Sequence, residues 1–355
     1  MKHMKAYLDD YIKITEKLAP ELRVAIVVSI LNETKNFTDF AENSVTTSYL
    51  TREEVDRLIG LFRENNIYVE LFNDVESFFK NYYSSNWKCN AIFESSPKGI
   101  AKGKDALLPS FCDTVGLLHF GPNAAANLRT CNKYFWYCTL AKNNIPVPNT
   151  FLYNNGWVNY PTCENLLLKL NEECASIGLS PKSLMKNCDI PLLTQHAQKL
   201  QLTYNEPVIA QQFINGYEVE VPILSNIRAV NVLPAVGLSL AEKQKLDDFF
   251  FNYESIFNNE YGVYLYENVN EQIANQLYEI CEKVIKILDL QGHFRIDFRI
   301  SPDGKPFITD INIDPTMGLE SSFLYSVKSL GYSDKDLIAI VLGNYLINQT
   351  NIEYR

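Results

Sequence analysis

Arg295, Asp297, Asp310 and Asn312 have the types and spacing to gather oxygen ligands and a cation on one surface. They lie in HFRIDFRISPDGKPFITDIN, residues 293–312. Strands alternate faces, so Arg295 and Asp297 project to one side, opposite Ile296 and Phe298. On the second strand Ile308, Asp310 and Asn312 share a side. Between the strands, SPDGKP is a turn by its chemistry, because Pro fixes φ and Asp-Gly supplies a tight reversal. A hairpin paired across that turn would bring two carboxylates and an amide carbonyl together, with Ile296, Phe298, Thr309 and Ile311 filling the other face. Buried carboxylates without partners are costly, so a cation belongs among them. The same alternation also suits a solvated outer face with an isolated salt bridge, which is common in antiparallel sheets.

A second chemical feature is Lys169, in the strand LLLKL, where an ammonium flanked by leucines needs an anion. The following loop, CASIGLS, combines small side chains with free backbone amides, a combination that can wrap a phosphate. It is not a Walker loop, since GxxxxGK[ST] is absent from the sequence. A lysine snorkelling from a strand edge beside an ordinary turn would read the same way.

The elements that must position these residues point to an α/β fold. ELRVAIVVSIL (21–31) is a continuous apolar run suited to a buried strand. TREEVDRLIGLFREN (51–65) has helical spacing, with Val55, Leu58, Ile59, Leu61 and Phe62 on one face and Thr51 and Glu54 as a capping box. IYVELF and KCNAIFES read as further strands, so residues 1–120 are expected to form a parallel α/β unit. A helix is expected over 123–142, carrying Lys133. After Pro146 and Pro148 the chain should extend, then give the Lys169 strand, the small-residue loop, a helix, and a polar connection from about 195 to 206. VIAQQFINGYEVEVPIL reads as strand, turn at Asn215-Gly216, and strand. NEQIANQLYEICEKVIKIL is a helix with Ile273, Leu277, Ile280, Val284 and Ile287 on one face. A helical segment closes the chain. The expected units are thus 1–120, 121–206 and 207–355.

Composition narrows the partners. The chain has 355 residues, 46% hydrophobic and 21% charged, with a formal charge of -10. That balance argues against broad nucleic-acid or anionic-membrane binding. No apolar run approaches the roughly 18 residues needed to span a bilayer, and the start lacks the apolar core of a signal peptide, so a cytoplasmic protein is expected. The eight cysteines include no CxxC pair, and the four histidines are scattered, which disfavours a zinc or disulfide framework.

In their order along the chain, Lys133, Lys169 before a small-residue loop, QQFINGYEVEVPI, and RIDF followed by DIN resemble the D-alanine:D-alanine ligase branch of the ATP-grasp family, over roughly residues 121–345. The resemblance implies two ATP-grasp subdomains, α+β in character, that clasp ATP after an N-terminal α/β unit. It implies that Lys133 and Lys169 hold phosphates and that Glu173, Ser176 and Gly178 belong to the phosphate loop. EECASIG stands where the family has EGSSxG, so Cys174 and Ala175 replace a glycine and a serine. Gln211, Gln212, Phe213 and Ile214 match the adenine hinge, with Gln211 in place of a glutamate, and Glu218 matches the ribose ligand. Arg295 matches the arginine that stabilises the acyl phosphate, and is assigned with Ser176 to the catalytic set. Asp297, Asp310 and Asn312 match the ligands of two Mg²⁺ ions, with Mn²⁺ as a substitute. Asp310 is one methylene shorter than the usual glutamate.

The same resemblance assigns Thr316, Ser321 and Ser322 to the amine-donating substrate, although Ser321 equally reads as a helix N-cap. FNYESIFNN departs from the family's loop, with Ile256 replacing a lysine and Phe257 a tyrosine. Glu42 is the candidate for the first substrate's ammonium. The implied activity is an ATP-dependent carboxylate–amine ligase working through an acyl phosphate on small-molecule substrates, and a dimer is common among such proteins. D-alanine:D-alanine ligation itself, a non-catalytic ATP-binding regulator and a phosphotransferase use the same residues and stay open at the level of sequence.

Overall fold

The computed structural model describes residues 2–34, 48–97, 99, 103–162, 164–173, 176–187, 189–252 and 261–349. Among them the strands form three sheets. In the first, β1 (Arg23–Val28) pairs in parallel with β2 (Tyr68–Phe72) and β3 (Ala91–Ser95), and β3 pairs in parallel with β4 (Leu118–His119). Val24, Ile26 and Val28 enter one apolar core while Ala25 and Val27 enter another, so both faces of β1 are covered. This is why its sequence is continuously apolar rather than alternating.

Helices α1 (Lys2–Leu18), α2 (Arg52–Glu64), α3 (Val75–Tyr82) and α4 (Leu107–Val115) accompany that sheet. The capping box at Thr51 and Glu54 forms as the spacing requires, and α2 buries the five apolar residues predicted for it.

The second sheet is antiparallel, in the order β5 (Thr150–Tyr153), β8 (Val208–Gln212), β6 (Leu166–Leu170), β7 (Leu184–Met185). The third contains β9 (Tyr217–Ser225), β10 (Val230–Val232), β11 (Val236–Leu240), β12 (Tyr261–Leu265), β13 (Gly292–Ile300) and β14 (Pro306–Asn312), in the order β12-β11-β9-β13-β14 with β10 on β9. Helices α5 (Ala124–Cys131), α6 (Lys133–Lys142) and α8 (Glu271–Leu288) supply residues to the core behind it. The chain ends in α9 (Ser322–Ser329) and α10 (Asp334–Gln349). Leu337, Ile338 and Val341 share a core with Leu8 and Tyr11, and the Thr15 hydroxyl donates to the Ala339 carbonyl at 2.7 Å. The C-terminal helix therefore packs on the first unit.

Several local expectations are corrected. The helix over 123–142 breaks at Asn132, whose extended backbone ends α5 and whose side chain accepts the Phe135 N–H to cap α6. Asparagine competes for nearby backbone amides in this way. After CASIGLS the chain makes only a short 3-10 turn, Pro181–Ser183, and then β7. The supposed connection at 195–206 is mostly helix, α7 (Ile190–Tyr204). Asp189 caps it and it buries Leu193 and Ala197 against the second sheet.

β8 and β9 do not pair with each other. β8 belongs to the second sheet, which therefore continues past residue 206, and residues 213–216 carry the chain across to the third. Gly216 makes that crossing at φ +122°, where a Cβ would stand 1.9 Å from the Ile300 carbonyl oxygen. Only glycine fits there.

Candidate active site

One face of the third sheet is charged. β9 contributes Glu218 and Glu220, β13 contributes Arg295, Asp297 and Arg299, and β14 contributes Asp310 and Asn312. Register places Arg295 opposite Asn312, Asp297 between Asp310 and Glu220, and Arg299 opposite Glu218. The Arg295 guanidinium donates to both oxygens of Asp297, at 2.6 and 2.9 Å, and lies 3.0 Å from Glu220. Burial pulls its pKa down, but Asp297 and Glu220 outweigh that and hold it above the ordinary arginine value. Glu220 is pushed up to about 7 by burial, against the pull of Arg295.

The alternation expected for β14 fails at one point. A bulge shifts the register between Asp297 and Phe298, so Asp297 faces Asp310 while Phe298 faces Ile308. Thr309 is the extra residue, and Ile308 joins Ile296, Phe298 and Ile311 in the core rather than sharing the face of Asp310. A bulge frees main-chain groups from the ladder. Here the Thr309 carbonyl accepts from Lys169 Nζ at 3.4 Å and from the Tyr137 hydroxyl.

Lys133 and Lys169 reach this face from the second sheet and its flanking helix. Lys133 opens α6, and its Nζ stands 3.2 Å from Asp310. Asn171, just beyond β6, docks that helix start. Its carbonyl accepts the Lys133 N–H at 2.9 Å and its Oδ1 accepts the Tyr134 N–H at 2.9 Å. Burial lowers the pKa of Lys169, against the raising effect of Asp310. For Asp310 burial acts upward, yet Lys133 and Lys169 hold its carboxyl below the usual carboxylate range.

The residues expected at the hinge are divided. Gln211 is buried with its side-chain amide against the Tyr137 hydroxyl, which it hydrogen-bonds. The Gln212 side chain accepts from Asn149 Nδ2 at 3.0 Å and so serves the edge of the second sheet. Arg299 organises the rest. It lies 5.0 Å over the Phe213 ring, donates Nε to the Ile214 carbonyl at 2.8 Å and pairs with Glu218 at 3.0 Å.

Beyond β14, Thr316 Oγ1 accepts the Gly318 N–H at 3.2 Å. Ser321 caps α9 by accepting the Leu324 N–H at 3.2 Å, so the cap reading is realised, and Ser322 is buried at the first helical position, where it hydrogen-bonds Glu220. Glu173 pairs with Lys104 of the first unit at 2.8 Å. Ser176 takes a left-handed conformation, φ 58°, and its carbonyl accepts the Leu179 N–H. Ile256, Phe257 and Glu42 lie outside the described residues.

Comparison with known proteins decides what this arrangement belongs to. The sequence model described as D-ala D-ala ligase C-terminus matches residues 149–343, more than half of the chain. The chain belongs to the D-alanine–D-alanine ligase family. A D-alanine–D-alanine ligase of Paracidovorax citrulli is 22% identical over 246 residues, covering 68% of this chain and 70% of the relative. One from Aquifex aeolicus is 24% identical over 249 residues, covering 68% and 78%. The fold likeness extends further. The D-alanine–D-alanine ligase of Bacillus anthracis, solved in complex with ATP, superposes with a TM-score of 0.68 at 14% identity, covering 94% of this chain and all of that one. A D-Ala:D-Ser ligase from Enterococcus faecalis gives 0.62 at 15% identity, covering 91% and 99%.

As a D-alanine–D-alanine ligase family member the chain is an ATP-grasp, ADP-forming ligase of the amide-forming kind. Its residues fit a nucleotide. A buried ammonium, Lys133, and a half-buried one, Lys169, converge where the described residues offer Asp310 and a carbonyl, and such donors suit an anionic ligand. They also fit a hard divalent cation, though in a particular way. Among the described residues no three His, Cys, Asp or Glu side chains could hold a metal by themselves. Asp297 and Asp310 with the Asn312 amide therefore suit an ion that takes its remaining oxygens from phosphate. No described helix is long and apolar enough to cross a membrane.

Three residues of this site, and Lys104 at the junction beside it, were missed in the sequence. Glu220 and Arg299 were within reach of reasoning, since YEVEV and RIDFR continue the alternation that singles out Glu218 and Asp297. Tyr137 and Lys104 carry no local signal, because their partners lie far along the chain.

Proposed function

We propose that this chain joins a small-molecule carboxylate to the amine of an amino acid, using ATP and Mg²⁺ and releasing ADP and phosphate. In the first step a carboxylate oxygen bonds to the γ-phosphorus, the bond to the bridging oxygen breaks, and an acyl phosphate and ADP result. In the second the amine attacks the acyl carbon, loses a proton, and phosphate leaves. Lys133 and Lys169 hold the nucleotide phosphates by charge-assisted hydrogen bonds. Gln211, Phe213 and Ile214 line the base, while Glu218, braced by Arg299, faces the ribose. Arg295 is placed to meet the charge that develops on the transferring phosphoryl and the acyl oxygen, within a buried site where such charges count for more than in water. Asp297, Asp310 and Asn312 hold Mg²⁺, which supplies neutralising charge to the phosphates. The start of α9 with Ser321 and Ser322, together with the Thr316 N–H, receives the carboxylate of the amine donor.

The observation that carries this reading is the convergence of Lys133 and Lys169 on the β14 bulge beside the Asp297–Asp310 pair, at the meeting of two antiparallel sheets. The relatives are named for D-alanine and D-serine, so small D-amino acids head the substrate panel, with L-amino acids beside them. Phosphate release from Mg-ATP is measured across pairs of these, with products weighed by mass spectrometry. Release that needs both partners, with a product equal to their sum less water, supports the reading. ATP hydrolysis independent of any amine, or a phosphorylated carboxylate as the final product, counts against it.

A further inference from the structure

The Lys104–Glu173 pair joins two parts of the molecule that sequence treats separately. Lys104 opens the 3-10 turn (Lys104–Ala106) that leads into α4 of the first unit, and Glu173 lies just past β6 of the second sheet. Their charged atoms are 2.8 Å apart and the side chains are only 7% and 8% exposed. A pair this buried holds both partners firmly, since neither charge can turn to water without breaking it.

What Glu173 is attached to gives the pair its consequence. Residues 171–173 are tied at each step. The Asn171 N–H donates to the Pro207 carbonyl at 3.0 Å, Asn171 docks the start of α6 through Lys133 and Tyr134, and the Glu172 N–H donates to Glu206 at 3.2 Å. The segment continues directly from the strand that bears Lys169. Lys104 thus reaches the two phosphate-facing lysines through one short, hydrogen-bonded piece of chain. Its surroundings are acidic, with Glu173 close enough to raise both Asp105 and Glu206. Burial and Glu173 push Glu206 up to about 8, and burial also raises Asp105. Lys104 is the cation from the first unit that meets Glu173 there. Lys104 also lines a small cavity at the ends of β1 and β3, with Ser29, Asp74, Glu94, Val75 and Leu107.

We propose that Lys104 is a positioning residue for ATP: by holding Glu173 it fixes residues 171–173, and so sets Lys133 and Lys169 for the nucleotide only when the first unit is docked. This rests on the reading of those two lysines as phosphate-binding groups. Lys104 itself touches no phosphate in this scheme.

The test compares Mg-ATP affinity, by calorimetry, and the KM for ATP in the full-length protein and in Lys104→Met, Lys104→Arg, Glu173→Gln, the double variant Lys104→Met with Glu173→Gln, Lys104→Glu, and the charge-swapped pair Lys104→Glu with Glu173→Lys. Thermal melting of each variant identifies any that fails to fold. Lys104→Met should weaken ATP binding about tenfold, with kcat at saturating ATP and the KM for the amine donor within about twofold. Lys104→Arg should restore most of the loss, and Glu173→Gln should match Lys104→Met without adding to it. The swapped pair should bind ATP better than Lys104→Glu alone. Lys169→Ala runs alongside. If it weakens ATP binding while folded Lys104→Met does not, the positioning role is wrong and the nucleotide site stands. If neither changes ATP affinity, the phosphate-binding reading fails and the inference falls with it.

Discussion

The charged face of the third sheet and the junction around Glu173 both bury several carboxylates, yet Asp310 on the first and Glu206 at the second are driven in opposite directions. On the sheet face Lys133 and Lys169 hold the half-buried Asp310 below its ordinary pKa, while burial raises Asp297 and Glu220 in spite of Arg295 beside them. At the junction the acids outweigh their cations, and protonation makes up the difference, with Glu206 pushed up to about 8. Burial alone raises a carboxyl, and nearby cations or hydrogen bonds to its charged form reverse it. The contrast separates a carboxylate kept charged by two lysines from one buried where two units of the fold meet.

The largest expected effect breaks the first half of that contrast. Asp310→Ala removes the proposed cation ligand and the anion that Lys133 meets, and should lower kcat by at least a thousandfold, about 4 kcal/mol in the barrier, while the protein still folds. Steady-state ADP release with Mg-ATP would read it, and activity within tenfold of the parent would remove Asp310 from the metal site. Arg295→Lys comes next. The replacement keeps the charge but loses the two-pronged grip on Asp297, so kcat should fall by about a hundredfold, close to 3 kcal/mol, with ATP affinity nearly unchanged. A loss confined to ATP affinity would instead place Arg295 among the nucleotide-binding groups. Lys169→Ala should weaken ATP binding by about 1.5–3 kcal/mol, measured by calorimetry, because a hydrogen bond to a charged group is lost. Unchanged affinity would leave Lys169 a purely structural lysine.

The smallest effect sharpens the second half. A free glutamate ionises near pH 4.3, whereas Glu206 does so at about 8 in the fold. Between those values the unfolded chain has released a proton that the folded chain keeps, so this group costs stability progressively as pH rises from about 5 to 8. Glu206→Gln keeps an acceptor for the Glu172 N–H and removes the titration. It should be more stable than the parent at pH 8 by about 1–3 kcal/mol and nearly equal at pH 5, as read from urea midpoints. A difference that does not vary with pH would mean Glu206 titrates normally.

Much of the site was legible because it obeys a local period. Arg295, Asp297, Asp310 and Asn312 share a face as alternation requires, and Lys169 stands out in its leucine strand for the same reason. Alternation gave the wrong side for Ile308, because a bulge inserts a residue without changing the composition around it. The break at Asn132 was hidden by good helix formers on either side, and α7 by a polar surface whose buried face is narrow. Sheet membership was legible for β1 to β3, where continuous apolar runs imply covered parallel strands, but not for β8 and β9. Their turn chemistry suggests a hairpin, and only tertiary pairing sends them to different sheets. Lys104 meets Glu173 across 69 residues, and no local pattern reports a contact of that kind.

The central claim is that the substrate carboxylate becomes an acyl phosphate on the face that holds Arg295, Asp297 and Asp310. The most direct measurement supplies the carboxylate substrate labelled with heavy oxygen, together with Mg-ATP and the amine, and weighs the phosphate released. The account predicts one heavy oxygen in each phosphate formed alongside the amide, because the oxygen that bonds to the γ-phosphorus leaves with it. Amide formation with unlabelled phosphate would contradict it.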